Sequence, residues 1–240
     1  MVDFRLHFLD RQGVVLSVAA LTYTDDRTAI AAVLGNHPNR HAELWQEDRR
    51  VRVFDRDIGH AHSRLRAATR SMHQALDGQL ALATLTERPA YVRYLQTNRP
   101  CCGMEEGLEA AGVGVILPDW DRRRRRAALA HDLTILGMPT GPSAPCPLAG
   151  DTGSILGWCY VLEGSRLGAQ VILQTVETST DPDVRDATRF LRHGIGQSLW
   201  QGFKTVLSQI DDDEVAIMRA CSAAEAAFEA FLAGYAAPAA

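Results

Sequence analysis

Lysine is almost missing from this chain: Lys204 is the one lysine in 240 residues, and the remaining basic charge is arginine. With a formal net charge of −4, there is no general positive excess of the kind that wholesale nucleic-acid binding needs. No apolar run approaches the roughly 20 residues that cross a bilayer. The opening stretch MVDFRLHFLDRQG has charges where a secretory signal would have its apolar segment, so a soluble, cytoplasmic protein off the membrane is expected. The cysteines, Cys101, Cys102, Cys146, Cys159 and Cys221, include no C-x-x-C pair, which argues against a disulfide framework and against a zinc site. Repeated Glu-x-x-His pairs are missing too, which disfavours a di-iron carboxylate bundle. A dinucleotide or flavin fingerprint is also absent, so any redox chemistry would draw electrons from outside the chain.

What remains divides in two. Residues 1–57 read as a small ββαββ unit. Phe4–Leu9 alternates like a strand, Asp10-Arg-Gln-Gly13 is a turn, and Val14–Tyr23 is a second strand. Thr24 or Asp25 can cap a helix through Leu34, and Ala42–Gln46 and Val51–Phe54 form a hairpin around Asp48-Arg49-Arg50. His7, His37 and His41 read as surface or turn histidines. A polar connection, Asp55–His62, marks the boundary.

From residue 63 the pattern is helical nearly to the end. Ser63–Leu85 reads as one long helix with Ser63 as its N-cap. At about 100° per residue, Arg66, Thr69, His73, Leu76, Asp77 and Leu80 share one broad sector. An imidazole, a carboxylate, an arginine and leucines on one face suit a flat, apolar, anionic, metal-containing ligand better than plain packing. Further helices are expected from Glu87 through Leu95 (broken by Pro100–Gly103), over Met104–Ala111, and from Pro118 to Leu136. A Pro/Gly loop over 138–150 precedes Thr152–Val176, then Asp181–His193, Ser198–Ile210 and Asp212–Gly234.

Thr152–Val176 contains Gly157, Gly164 and Gly168. Seven residues turn a helix by about 700°, so Gly157 and Gly164 nearly superimpose, with Gly168 about 40° away. Each costs about 1 kcal/mol relative to alanine. Close approach of a helix or of a flat ligand would offset that.

Together these two helices resemble the heme oxygenase family. The first carries Ala68-Thr69-Arg70-Ser71-Met72-His73-Gln74-Ala75-Leu76-Asp77, similar to the family's Ala-Thr-x-x-x-His-x-x-x-acid pattern. The second, Leu156-Gly157-Trp158-Cys159-Tyr160-Val161-Leu162-Glu163-Gly164-Ser165-Arg166-Leu167-Gly168-Ala169, resembles the glycine-rich distal helix. It looks like the bacterial branch of the family, including biliverdin-forming enzymes that supply bacterial phytochromes. The resemblance covers about residues 63–235, and residues 1–57 lie outside it.

The resemblance implies a mostly α fold, a heme-oxygenase-like domain over 63–237 behind the small α/β domain. It implies an oxidoreductase that opens heme to biliverdin, carbon monoxide and ferrous iron. Heme would be substrate and cofactor, with dioxygen and an external ferredoxin- or flavin-type donor, or ascorbate in vitro. His73 would be the proximal iron ligand, with Asp77 accepting a hydrogen bond from its other ring nitrogen. Arg66, about 10 Å along the helix from His73, and Arg70 would meet the propionates, with Arg192 and Lys204 as further candidates. Thr69 and Gly157 would border the heme. Gly164 and Gly168 would leave the sixth iron position open, and Ser165 stands where many members have an aspartate. Rival readings are a heme carrier or sensor without turnover, and a related fold that binds no heme. The run Arg122–Arg126 reads as a charged surface helix or a docking patch for an acidic donor. Cys146-Pro147 resembles a cysteine–proline motif of heme-regulated proteins, too short to weigh. His131 and His193 read as structural.

Overall fold

The structure, a computed structural model, describes residues 1–9, 15–37, 42–54, 59–79, 81–138, 146 and 148–236. The expected turn at Asp10–Gly13, and His41, Leu80 and Pro147, lie outside the described residues. The chain divides into two compact units, Met1–Gly59 and His60–Ala240.

In the first unit the elements are β1 (Val2–Leu9), β2 (Val15–Tyr23), α1 (Asp26–Asn36), β3 (Ala42–Gln46) and β4 (Arg49–Phe54). The sheet order is β2-β1-β3-β4, antiparallel throughout. Strand alternation sends Phe4, Leu6, Ala42, Leu44 and Phe54 to one face, where Ala29 and Val33 of α1 cover them. Asp25 caps α1 by accepting the Thr28 N–H at 2.8 Å. Glu47, at φ 51°, makes the β3–β4 turn with Asp48, so Arg49 and Arg50 belong to the strand rather than to the turn.

The second unit is helical: α2 (His60–Ala68), α3 (Arg70–Gln79), α4 (Arg88–Thr97), α5 (Pro100–Ala110), α6 (Val113–Ile116), α7 (Arg126–Ile135), α8 (Thr152–Val176), α9 (Pro182–Asp186), α10 (Arg189–Arg192), α11 (Leu199–Leu207) and α12 (Glu214–Ala236). Short 3-10 turns occupy Leu82–Thr86, Trp120–Arg122 and Ser208–Ile210.

Several expectations change here, among them the helix over Asp181–His193, which is α9 and α10, and the N-cap at Ser63, which lies inside α2. The single helix over Ser63–Leu85 is α2, α3 and a 3-10 turn. At the α2–α3 junction the buried Thr69 hydroxyl donates to the Leu65 carbonyl at 2.8 Å, a back-bond that bends helices. Pro100 opens α5 instead of breaking a helix, since a first-turn residue needs no N–H. The helix expected from Pro118 begins only at Arg126, because the arginines before it turn inward (below).

Helix α8 starts on Asp151, whose carboxylate accepts the Ser154 N–H at 3.1 Å. Over its first half it is buried on every side. It runs in the same direction as α12, with Gly153 on Ala216 and Gly157 on Ala220 and Ala223. Small residues on both helices allow their backbones to meet. Further along, α12 presents Phe228 and Phe231 in place of alanines. The bare positions of α8 there, Gly164 and Gly168, have no α12 atom within 4 Å of a built Cβ. A cleft opens where the pair splays.

Candidate active site

The cleft has a volume of about 290 Å³ and is mainly apolar. That is at the small end of ligand pockets. One wall is α3, contributing His73, Leu76 and Asp77; α4 and its C-cap add Tyr94 and Asn98; α8 adds Gly164, Ser165, Gly168 and Ile172; α12 adds Phe228 and Phe231. Exposed Leu82 and Val171 extend the apolar rim. Although Met72 and Leu76 give α3 an apolar stripe, none of its residues is fully buried. Met72 and Leu76 are both half-buried against the core, and Leu76 also borders the cleft.

His73 is exposed toward the cleft, and its ring packs edge-on against Phe228, centroids 4.7 Å apart at 61°. Loss of solvent around the ring lowers its pKa below the ordinary histidine value, with the Asp77 charge pulling the other way. The neutral imidazole, the form that ligates a metal, is thereby favoured near neutral pH. Asp77 is exposed one turn along. Its influence on His73 is through space: no hydrogen bond joins the two among the described residues. The short aspartate stays in water while Phe228 holds the ring.

Opposite His73, the roof is naked backbone. A Cβ at Gly168 would meet nothing within 4 Å, and one at Gly164 only the Trp200 ring at 3.9 Å. Behind the roof lies a charged layer that the reading of Arg122–Arg126 as a surface helix missed. Arg123 (2% exposed) binds Asp119 at 2.7 Å and Glu163 (1% exposed) at 2.9 Å. Arg166 binds Glu163 at 3.0 Å and donates to His193 Nδ1 at 2.7 Å. Arg125 (1% exposed) lies 4.7 Å over the Phe190 ring and donates to Leu162 O at 3.0 Å and Ser165 Oγ at 2.6 Å. Glu105 takes the backbone N–H groups of Arg125 and Arg126, at 2.7 and 3.1 Å. Burial raises the Glu105 pKa against these bonds. The five-arginine run is therefore no uniformly solvated helix. Its signal was the pattern itself: with Arg123 and Arg125 taken inward, Arg122 and Arg124 point to the surface.

Sequence comparison agrees with the geometry. The profile of the family described as heme oxygenase matches residues 148–235, which hold α8 and α12. A heme oxygenase of Xanthomonas campestris pv. campestris (strain 8004) is 32% identical over 135 residues, spanning 56% of this chain and 81% of that protein. The chain belongs to the heme oxygenase family. The crystal structure of the NO- and CO-bound heme oxygenase from Neisseria meningitidis matches in fold, with a TM-score of 0.55 at 19% identity, over 76% of this chain and 94% of that one.

For a heme oxygenase the substrate is heme, and the residues present fit it. A flat apolar group needs a slot with no side chain in the way; the space beside Gly164 and Gly168 is of that kind, facing a histidine that favours its neutral form. The other residues expected at the heme divide. Arg66 and Arg70 are exposed on α2 and α3, and no cation lines the cleft among the described residues. Gly157 is a correction: it faces α12, where the Ala220 carbonyl fills the place of a Cβ. Thr69 is another: its hydroxyl serves the bend and meets the Tyr160 hydroxyl. Arg192 does not line the cleft and is paired at the surface with Glu177, with Thr188 Oγ1 beside it. Lys204 is half-buried on α11 and does not line the cleft.

No helix among the described residues is long and apolar enough to cross a membrane.

Proposed function

We propose that this protein opens heme oxidatively to biliverdin, carbon monoxide and ferrous iron, using dioxygen and electrons from an external donor of ferredoxin or flavin type. One observation carries the reading: an imidazole and a stretch of side-chain-free backbone face each other across an apolar cleft. Heme, when bound, supplies the iron at which dioxygen is activated and the ring that is opened.

The chain's own residues do the rest. His73 would hold the iron through a ring nitrogen, and the edge contact with Phe228 orients that ring. Asp77 adds a negative charge that makes the imidazole a stronger donor. Leu76, Ile172 and Phe231 line the cleft and would pack on a flat apolar group and exclude water. Arg66 and Arg70, on the exposed side of α2 and α3, receive the propionates. Gly164 and Gly168 would leave space for dioxygen beside the bound group, with Ser165 as a polar group on the same wall. The heme-oxygenase-like domain spans 63–237; the small α/β domain of residues 1–57 has no assigned role. A cytoplasmic place in the supply of biliverdin to bacterial phytochromes fits the distal helix sequence.

Reconstitution with hemin followed by ascorbate or a ferredoxin system tests the proposal. The expected result is a Soret band that collapses as bile-pigment absorbance near the red grows. A stable Soret band under reduction in air would leave a binding protein in its place. A Soret band unchanged between wild type and His73→Ala would remove His73 from the iron.

A further inference from the structure

The two edges of the sheet in the first unit are defended very differently. The order β2-β1-β3-β4 leaves β2 and β4 each with a row of backbone N–H and C=O groups that no other strand takes up among the described residues. Strand β4, RRVRVF, carries Arg49, Arg50 and Arg52. Arg49 pairs with Asp26 at 2.9 Å and Arg50 with Glu43 at 3.0 Å. A strand laid along β4 would desolvate these cations and their partners. Strand β2, VLSVAALTY, has no charge, no proline and no glycine. Its Val15, Leu16 and Val18 are exposed. Lone edges are ordinarily blunted by charge, proline or a bulge. On β2 the one such device is a bulge at Leu16, where the register passes from Phe8 opposite Ser17 to Leu9 opposite Val15. From Ser17 to Tyr23 the strand is regular.

Charge and symmetry restrict what fits that edge. Of the pairings this sheet offers, β4 on β4 sets arginines against arginines. Pairing β2 with β4 also buries arginines, and it is head-to-tail, so it runs on without closing. Pairing β2 with β2 buries no charge and closes about a two-fold axis. An axis at Ala20 uses the whole regular stretch. Ser17 then meets Tyr23 of a second copy, Val18 meets Thr22 and Ala19 meets Leu21. Small side chains lie at the centre and a β-branched pair lies on each side of them, a combination that sheets favour.

We infer that the first unit joins two copies of this chain through antiparallel pairing of β2 with β2, which makes one continuous sheet out of two. The seam is about 24 Å long at 3.4 Å per residue. It is small for a specific interface, so the dimer is a weak one, of roughly micromolar affinity. The inference is independent of what the cleft in the second unit binds.

Sedimentation of the full chain over about 1–100 μM, a range that brackets such an affinity, should show monomer giving way to dimer. Hydrogen exchange read by mass spectrometry at both ends of that range reports on the seam. Alternate N–H groups of a strand point to one edge, so roughly half of the amides of residues 17–23 should slow in the dimer. Val18→Lys and Ala20→Lys each place a charge in the seam, at positions exposed in the single chain. Each should weaken dimerisation at least tenfold with an unchanged far-UV circular dichroism spectrum. Val53→Lys, at a comparably exposed valine of β4 (44% against 53% for Val18), should leave the dimer as it is. Two β2 variants keep the test decisive if one of them does not fold. A chain that stays monomeric throughout would overturn the inference. So would a dimer that survives both β2 lysines, or one whose β2 amides exchange as fast as the monomer's. Equal weakening by Val53→Lys would overturn it as well, because the contact would then lie on the sheet face and not along its edge.

Discussion

Gly157 lies so close to Ala220 that a methyl group at 157 would occupy the space of the Ala220 carbonyl. Eleven residues on, Gly168 faces open space within the same helix. The two glycines thus predict opposite outcomes for one substitution. Gly157→Ala forces α8 and α12 apart and costs about 1–3 kcal/mol or more. Gly168→Ala gains about 1 kcal/mol in helix propensity and takes that room from the heme. Urea unfolding should show the first variant less stable and the second more stable than wild type. Hemin titration should show weaker binding in Gly168→Ala. Equal stability of the two variants would contradict the splayed-helix geometry.

The contact between His73 and Phe228 makes a second prediction. His73→Ala should lower hemin affinity at least tenfold and change the ligand-field bands. Phe228→Leu keeps an apolar group but loses the edge contact, so it should fold and bind hemin several-fold more weakly. If Phe228→Leu binds as wild type with an unaltered spectrum, the ring is held by something else.

Within the buried layer, Glu163 neutralises Arg123 and Arg166 together. Removing one charge of such a set costs about 3–5 kcal/mol, since the partner stays buried and uncompensated. Glu163→Gln should therefore lower the thermal midpoint of the apoprotein by many degrees. A change within experimental error would show that the arginines find other acceptors.

His193 couples that layer to pH. Desolvation, then the charges of Arg166 and Arg125, lower its pKa from 6.5 to about 4. Between those values the unfolded chain takes up a proton that the folded chain refuses. Stability is therefore full above about pH 6.5 and declines as pH falls toward 4, by up to about 3 kcal/mol. His193→Gln keeps an acceptor for Arg166 and removes the titration. Its urea stability should decline less over that window; a pH slope identical to wild type would rule out His193 as the source.

Much of this protein was written into local patterns. The 25 residues of α8 follow from a capping aspartate and a stretch free of proline, and the strands of the first unit from alternation and turn residues. His73 and the pair Gly164 and Gly168 were legible because four-residue spacing puts side chains, or their lack, on one helix face whatever packs there. The bend at Thr69 and the late start of α7 were not, since each depends on a hydrogen bond or ion pair with its own surroundings.

What periodicity cannot supply is the neighbour. Gly157 and Gly164 share a helix face, yet one is sealed by α12 and the other looks into the cleft, because alanines give way to phenylalanines on a helix some 60 residues later in the chain. Arg123 and Arg125 carry the same formal charge as Arg122 and Arg124, and only burial beside Glu163, Leu162 and Ser165 separates structural cations from solvated ones. Composition and spacing determined which chemistry this chain contains; desolvation and long-range packing decided which of those groups meet.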